Sequence, residues 1–251
     1  WSSDVCSSDL KTYYPEKTGI AASNIVSVSI MPCTAKKYEA TRPEMYSSGH
    51  RDVDYVLTTR ELGRMLREAG IDFAALPVEE YDPPLGISTG AAAIFGATGG
   101  VMEAALRTAY EVLTGNELAC IDLTEVRGLS GVKESVVDVS GLKVKVAVAH
   151  GLVNAAKILD QIVAGKADYH FIEIMCCPGG CIGGGGQSIP TTMAIRAERV
   201  KAIYQVDRDM PIRKSHENPA VNTIYEEFLG RPLGHKSHEL LHTHYTRRTK
   251  Y

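Results

Sequence analysis

Three cysteines lie within six residues of one another, at positions 176, 177 and 181, and a run of glycines at 183–186 follows them. Cysteine thiolates are soft ligands that suit iron–sulfur clusters, and Cys177 and Cys181 are spaced to reach neighbouring corners of one cubane. Glycines let backbone N–H groups approach a cluster closely, because they lack a Cβ and tolerate positive φ. Taken alone, the loop also fits a zinc site or a redox pair.

A second motif lies upstream and combines a cysteine with a lysine. Met31, Pro32 and Cys33 come at the end of a β-branched run at 25–30, and Lys36 and Glu39 follow. A strand that ends in a cysteine, with a lysine three residues later, places a soft ligand and a cation at the edge of an α/β sheet where ligands bind. The two motifs together therefore favour a cluster site.

The two motifs closely resemble the second and third signature motifs of the catalytic domain of the iron-only (FeFe) hydrogenases. Residues 86–107 resemble the central glycine-rich segment of that family, and residues 213–245 resemble its small-subunit-type C-terminal segment. The resemblance covers residues 11–249. It implies reversible reduction of protons to molecular hydrogen. It also implies the family's cofactor, the H-cluster, which is a 4Fe-4S cluster bridged to a diiron subsite that carries carbonyl and cyanide groups.

The resemblance also implies roles for individual residues. Cys33, Cys177 and Cys181 would bind the 4Fe-4S cluster, and Cys181 would also bridge to the diiron subsite. Lys36 would donate a hydrogen bond to a cyanide and Glu39 would hold it as its ion-pair partner. A buried anion needs a cation and a buried lysine needs a carboxylate, so this pairing is physically reasonable.

Further residues are placed around the diiron subsite by the same resemblance. Met31 and Met175 would supply polarizable, aprotic walls. Pro32, Phe95 and Gly96 would line the subsite. Cys176 stands where the family usually has a small residue, and we interpret it as a bystander because adjacent side chains on an extended chain point to opposite sides.

Composition limits the other function classes. A net charge of −3 gives no basic field for nucleic acid, and the chain has no uninterrupted apolar run of membrane-spanning length. It also lacks the pattern of an export signal. Six cysteines, four of them in the two motifs, do not form a disulfide framework in a chain of 251 residues, so we expect a reducing, cytoplasmic compartment.

The elements that must position these residues alternate between strand and helix. The pattern predicts an α/β fold with one or more parallel sheets flanked by helices, followed by an all-helical C-terminal segment. We predict strands at residues 25–31, 54–57, 144–149 and 171–175, and helices at 61–69, 99–113, 152–163, 191–204, 220–229 and 237–242. The first of these helices is capped by Thr58 or Thr59 and stops at Gly70.

We divide the sequence into three segments. Residues 1–10 are rich in Ser and Asp and are interpreted as non-native or disordered, which excludes Cys6 from the site. Residues 11–190 form the cluster-binding catalytic domain, incomplete at its N-terminus, and residues 191–251 form a helical tail. The first signature motif of the family is expected upstream of Lys11. The chain is therefore predicted to be the C-terminal fragment of a catalytic subunit, inactive alone.

Other readings remain. An iron–sulfur assembly protein or a hydrogen-sensing homologue shares this fold, although Met31-Pro32-Cys33 with Lys36 argues against the assembly protein. The string from His238 to His242 matches the zinc-protease pattern H-E-x-x-H, but only nine residues follow it to provide a third ligand. We expect His150 to be structural.

Expected partners are ferredoxin, flavin-containing NADH-linked subunits, or both, together with maturation proteins. The roles of Cys120 and Cys176 stay open.

Overall fold

The computed structural model describes residues 4–83, 85–118, 120–139 and 141–247, without the side chains of residues 4–7. The chain forms two compact units, one of residues 1–86 and 219–251 and one of residues 87–218. The predicted mixed α/β class is confirmed.

The helices are α1 (Asp4–Lys11), α2 (Tyr13–Thr18), α3 (Ala35–Glu39), α4 (Thr59–Glu68), α5 (Gly90–Ile94), α6 (Gly100–Thr114), α7 (Leu152–Val163), α8 (Met193–Asp209), α9 (Pro219–Ile224) and α10 (His235–Leu241). The strands are β1 (Val28–Met31), β2 (Tyr55–Thr58), β3 (Val132–Val139), β4 (Leu142–His150) and β5 (Phe171–Met175).

The first unit contains a two-stranded parallel sheet. β1 pairs with β2 in a register that places Met31 opposite Thr58, so both strands end at the same edge. Thr58 caps α4 through a capping box, since its hydroxyl accepts from Glu61 N at 3.2 Å and the Glu61 carboxylate accepts from Thr58 N at 2.8 Å. The predicted cap of this helix is thus confirmed at Thr58.

A three-stranded sheet organises the second unit. β4 pairs in parallel with β5, with His150 opposite Met175, and β3 pairs antiparallel with β4. Val146 and Val148 of β4 pack with residues of α6, whereas alternate residues of β4 pack with Ile158 of α7. The sheet therefore lies between these two helices.

The parallel pairings β1–β2 and β4–β5 agree with the predicted parallel sheets, but the antiparallel strand β3 was not predicted. Polar residues interrupt the valines of β3, and from Glu134 onward exposed side chains alternate with half-buried or buried ones, as on an edge strand with one solvated face. A hairpin joins it to β4, and Asp138 Oδ1 accepts from Gly141 N at 2.7 Å in that turn. Such a strand lacks the continuous apolar run by which we identified the others.

The C-terminal segment is helical, as predicted. Helix α8 starts two residues after the predicted start and runs five residues beyond the predicted end. Helix α9 continues into a π-helical turn over Tyr225–Leu229, and α10 ends one residue before His242. Helix α8 packs against α5 in a core formed by Ala91, Ile94, Ala97, Ala104 and Tyr204.

Residues 4–10 are helical rather than disordered. The hydroxyl of buried Ser8 donates to Leu240 O at 2.8 Å, and Tyr13 of α2 packs with Ile224, Leu229 and Leu240. Residues 1–3 of the predicted non-native segment lie outside the described residues, as do residues 248–251 of the predicted tail. The non-native origin of residues 1–10 stays a prediction, and so does the domain boundary after residue 190.

Candidate functional site

The downstream cysteines lie in a tight turn that follows strand β5. We call residues 177–183 the cysteine turn. Gly180 N donates to Cys177 O at 2.9 Å, and a 3₁₀ helix, Cys181–Gly183, closes the turn. Gly179 and Gly180 have φ values of 86° and 92°, a region that other L-residues rarely adopt. The glycines between the two cysteines are therefore required by the backbone.

Two backbone hydrogen bonds fix the cysteine turn to residues 96–98. Thr98 N donates to Gly179 O at 3.0 Å, and Ile182 N donates to Gly96 O at 3.0 Å. A Cβ on Gly180 would lie 2.7 Å from Thr98 N and 2.8 Å from Met175 Sδ. The structure therefore brings Gly96 and Met175 to the cysteine turn.

Gly96 also allows helix α8 to approach. A Cβ on Gly96 would lie 2.8 Å from Ile203 Cδ1 of α8, which is too close for two carbon atoms. Its neighbour Phe95 follows the last residue of α5 and packs against the core shared by α5 and α8. Both residues thus join the cysteine turn to α8, a contact that sequence reasoning did not predict.

A lysine and a glutamate hold the peptide between Thr98 and Gly99. Lys133 Nζ donates to Thr98 O at 3.1 Å and to Gly128 O at 2.9 Å. The carboxylate of buried Glu173 accepts from Gly99 N at 2.6 Å and from Met102 N at 2.7 Å, which caps α6. Lys133 therefore holds the C=O and Glu173 the N–H of this peptide. Together they also position the neighbouring Thr98 N–H, which donates to Gly179 O.

Burial dominates the electrostatics of this pair. It lowers the pKa of Lys133 to about 8 and raises that of the Glu173 carboxyl above its usual range, against two backbone hydrogen bonds that lower it. Neither residue was singled out from the sequence. The one available signal was a carboxylate within the apolar strand Phe171–Met175.

Two arginines of α8 lie beside the cysteine turn. Arg199 donates through Nη1 to Ile182 O at 2.9 Å and through Nη2 to Ser188 O at 3.1 Å, so it holds the turn and the segment after it. A Cβ on Gly183 would lie 3.1 Å from Arg196 Nε, and a Cβ on Gly179 would lie 3.6 Å from Arg196 Cδ. The side chain of Arg196 therefore runs along the turn.

A buried charge network ties α6 to α8 behind this region. Arg107, Glu103 and Asp207 are each 0% exposed. Arg107 donates to Glu103 at 2.7 Å and to both Asp207 oxygens at 2.8 and 2.9 Å. Burial alone would raise the pKa of Asp207, but hydrogen bonds from Arg107 and Arg213 lower it. Each buried charge is thus paired, which makes the network structural.

The upstream motif lies in the first unit. Met31, Pro32 and Cys33 are half-buried at the end of β1. Lys36 and Glu39 lie on α3 with Nζ and Oε2 2.5 Å apart, and their side chains are 26% and 22% exposed. The expected ion pair is therefore present, while its role toward a cofactor stays a prediction.

The predicted site residues divide between the two units. The first holds the upstream set (Met31, Pro32, Cys33, Lys36, Glu39), and the second holds the downstream set (Phe95, Gly96, Met175, Cys177, Cys181). Within the second unit, residues from three separate segments meet at the cysteine turn. The roles of these residues toward a cofactor stay predictions.

Two family models match the chain. Residues 3–185 match the C-terminal domain of the iron-only hydrogenase large subunit, and residues 193–248 match the iron hydrogenase small subunit. The chain belongs to the iron-only hydrogenase family. The recognition made from the two cysteine motifs is thereby confirmed.

Individual relatives agree with this assignment. The chain is 52% identical over 241 residues to the NADP-reducing hydrogenase subunit HndD of Solidesulfovibrio fructosivorans, which covers 96% of this chain and 41% of that protein. A solved structure of a variant of the FeFe-hydrogenase HydA1 from Chlamydomonas reinhardtii is 44% identical with a TM-score of 0.80, over 96% of this chain and 68% of that one. The chain thus spans about two-fifths of the length of its curated hydrogenase relative.

A more distant relative carries a different name. The cytosolic iron-sulfur assembly component 3 of Rattus norvegicus is 29% identical over 248 residues, which cover 96% of this chain and 52% of that protein. The iron-only hydrogenase family therefore has neighbours named for cluster assembly.

Two further cysteines with described side chains, Cys120 and Cys176, lie outside the predicted ligand set. Cys176 is exposed and Cys177 is half-buried, and the interpretation of Cys176 as a bystander stays a prediction. Cys120 is exposed, outside both motifs. His150 is buried opposite Met175, with Nε2 3.2 Å from Leu129 O, while its Nδ1 has no partner among the described residues.

The zinc-protease pattern does not build a protease site. Helix α10 ends at Leu241, so His242 lies beyond the helix that H-E-x-x-H requires, although its ring centroid is 4.4 Å from that of His238. In the described part of the chain, the one group of three metal-ligating side chains within reach of one another is Glu111, His216 and Glu217. Lys214 Nζ lies 2.7 Å from Glu111 and 3.1 Å from Glu217, so an ammonium already neutralises that group.

The surroundings of the cysteine turn fit an anionic metal cluster. Thiolates suit iron, and Gly180 faces atoms that a Cβ would strike. Two buried polar atoms beside the turn, Thr98 Oγ1 and Arg196 Nε, have no hydrogen-bond partner within the described residues. A guanidinium at this position would complement the negative charge of a thiolate-bound cluster. Among the residues that the structure describes, none of the helices combines the length and apolar character needed to span a bilayer.

Proposed function

We propose that this chain is the C-terminal part of the catalytic subunit of an iron-only hydrogenase, which interconverts protons, electrons and molecular hydrogen. The observation that carries the proposal is the cysteine turn, in which Cys177 and Cys181 are held by Gly96 and Thr98 around an enclosed glycine. The family match supports it, and the 52% identity to a protein named as a hydrogenase subunit does so as well.

We assign Cys33, Cys177 and Cys181 as ligands of the 4Fe-4S part of the H-cluster, with Cys181 also bridging to the diiron subsite. The cofactor supplies the redox chemistry with protons and hydrogen, while the protein fixes its geometry and hydrogen bonding. The positive φ angles of Gly179 and Gly180 support this assignment, because they allow the chain to bend so that Cys177 and Cys181 lie in one turn.

Around the diiron subsite, we assign Lys36 as the donor to a cyanide and Glu39 as its anchor. The half-buried ion pair supports this assignment, since Glu39 holds the ammonium in place. Met31 and Met175 supply thioether walls, and Pro32, Phe95 and Gly96 complete the lining. The contact of Met175 Sδ with the position that a Gly180 Cβ would occupy supports the placement of Met175.

We propose that residues outside this chain complete the cofactor site, because the chain spans 41% of its hydrogenase relative. The chain alone is then inactive. The electron partner is a ferredoxin or a flavin-containing, nicotinamide-linked subunit. The name of the NADP-reducing relative supports the second class. Maturation proteins insert the diiron subsite, and the compartment is the cytoplasm.

The test uses the whole catalytic subunit that carries this sequence, matured under anaerobic conditions. Iron, acid-labile sulfide and hydrogen evolution are measured for the parent and for Cys181→Ser. We expect loss of activity and of the diiron subsite in the variant. Cys120→Ser and Cys176→Ser are matched controls, since both residues are exposed, as Cys181 is, but lie outside the proposed ligand set, and we expect both variants to retain iron and activity. Unchanged hydrogen evolution in Cys181→Ser would refute the assignment.

A cluster-assembly function is the second candidate. The 29% identity to an assembly component over nearly the whole chain favours it. The two candidates differ in one readout. The matured parent evolves hydrogen from a reduced viologen dye if it is a hydrogenase, whereas an assembly protein binds iron and sulfide without evolving hydrogen.

A further inference from the structure

Arg196 lies along the cysteine turn without a counter-charge. Among the described residues, its Nη1 donates only to Met193 Sδ at 3.4 Å, and a thioether is a weak acceptor. Its Nε is buried and has no hydrogen-bond partner among the described residues. Within the same part of the chain, no carboxylate lies within ion-pair distance of Arg196. A half-buried guanidinium in this condition is costly unless an anion is supplied.

The neighbouring arginine shows what a structural role looks like. Arg199, one turn further along α8, uses both terminal nitrogens to hold Ile182 O and Ser188 O. Arg196 makes no such contact with the backbone of the described residues, yet its Cδ and Nε lie against the positions that Cβ atoms of Gly179 and Gly183 would occupy, at 3.6 and 3.1 Å. Cys181 lies between these two glycines in the sequence. The side chain of Arg196 therefore lies against the same turn that carries a proposed cluster ligand.

A thiolate-bound iron–sulfur cluster is anionic, and one-electron reduction adds one negative charge to it. A fixed cation close to the cluster stabilises the reduced state more than the oxidised state, so it raises the reduction potential. An arginine supplies this charge at every accessible pH, because its guanidinium does not deprotonate in proteins.

We propose that Arg196 sets the reduction potential of the cluster held by Cys177 and Cys181, and that its positive charge is the part of the side chain that matters. This inference rests on the proposed function, since it requires the cluster. It also gives α8, which belongs to the small-subunit segment of the family, a direct influence on the redox centre.

The experiment is a redox titration of the whole catalytic subunit, in which a dithionite-reduced mediator dye donates one electron to the cluster. The cluster signal in electron paramagnetic resonance gives the midpoint potential. Arg196→Gln and Arg196→Met remove the charge, and Arg196→Lys retains it. Arg208→Gln is the matched control, because Arg208 lies on the same helix and bonds to exposed Gln205. Iron and acid-labile sulfide are measured for every variant.

We expect a lower midpoint potential in the two neutral variants, and a parent-like potential in Arg196→Lys and Arg208→Gln. Loss of the cluster in both neutral variants, with retention in Arg196→Lys, also supports a requirement for charge. An unchanged potential in the neutral variants overturns the inference, and so does loss of the cluster in all three Arg196 variants, which indicates a packing role. A parent protein without iron and labile sulfide instead contradicts the proposed function.

Discussion

Lys36 holds its ammonium half-buried against Glu39, and this geometry gives a sharp test at the residue scale. In the whole catalytic subunit we expect Lys36→Asn to lower hydrogen evolution by roughly 100-fold, the loss typical when one charge-stabilising donor is removed. Lys37→Asn is the control, because the adjacent Lys37 pairs with exposed Glu61 at 3.0 Å. Hydrogen evolution assays of both variants decide the matter, and equal rates would contradict the role of Lys36.

Gly180 offers a second residue-scale prediction. Gly180→Ala places a Cβ 2.7 Å from Thr98 N on a residue whose φ is 92°, so it combines steric overlap with backbone strain. Gly165→Ala is matched for strain alone, since its φ is 67° and no atom lies within 4 Å of its Cβ. We expect the control to cost about 1 kcal/mol of unfolding free energy and to keep its iron.

The Gly180→Ala variant is expected to lose cluster iron in the whole subunit, because the cysteine turn must move away from Thr98. Iron content per chain and urea unfolding measure the two effects separately. Retention of parent-like iron by Gly180→Ala would show that the turn is not as confined as the structure indicates.

Sequence reasoning at this scale found the residues that occur in motifs. The cysteines and the Lys36 and Glu39 pair were identified from local spacing. Lys133, Glu173 and Arg196 were missed, because each reaches the cysteine turn or its support from a distant segment and none has a local motif. Partners chosen by tertiary contact leave little trace in a single sequence.

At the scale of elements, Lys133 joins strand β3 to the loop before α6. Its lowered pKa leads us to expect that the unfolding free energy depends on pH. Its pKa falls from 10.5 in the unfolded chain to about 8 in the fold. The unfolded state therefore binds more protons between these values, and stability rises with pH across that window. In Lys133→Met this contribution is absent. We expect the unfolding free energy of the parent, relative to the variant, to increase from pH 8 toward pH 10.5.

The measurement is urea unfolding of both proteins at several pH values within that window. Lys143→Met, on the exposed part of β4, serves as the control and is expected to follow the parent. If the difference in unfolding free energy between the parent and Lys133→Met does not change with pH, the fold does not lower the pKa of Lys133.

Elements with a strong local pattern were predicted well. The strand at residues 171–175 and the helix at 152–163 have the predicted bounds, and Thr58 caps its helix as one of two predicted candidates. Strand β3 was missed because the consecutive polar residues Lys133, Glu134 and Ser135 interrupt its valines, so it has no continuous apolar run. Helix α1 was missed because a segment rich in Ser and Asp has low helix propensity, and its order comes from packing against the C-terminal helix.

For the whole chain, the exposed sheet of the first unit predicts association. Val28, Ile30 and Tyr55 are 51%, 50% and 64% exposed on a sheet of two parallel strands. Parallel sheets are usually covered on both faces, and apolar surface of this kind favours contact with other molecules. We expect the isolated 251-residue chain to self-associate, and the double variant Val28→Thr with Ile30→Thr to do so less.

Sedimentation velocity over a concentration series measures this association. The control is Val153→Thr with Val163→Thr on α7, where the two side chains are 75% and 87% exposed in the second unit. A monomeric parent chain, or an equal decrease in both double variants, would contradict a specific role of the sheet.

The division of the whole chain was the hardest feature to predict. The sequence suggested a boundary after residue 190, which separates two family segments. Each compact unit contains parts of both segments, because α8 packs with residues 87–218 while α9 and α10 pack with residues 1–86, and the boundary itself stays a prediction. The buried pairing of Arg107 with Asp207, residues 100 positions apart, shows the long-range contact that decides this arrangement.

Helix α8 and the cysteine turn belong to different family segments, yet here one polypeptide carries both. The docking of Arg196 and Arg199 on the turn is therefore an intramolecular event, governed by an effective concentration that a short connection keeps high. Dilution cannot separate the two partners. Proteolytic cleavage between residues 185 and 193 would convert this contact into a bimolecular equilibrium, and the environment of the turn would then depend on protein concentration.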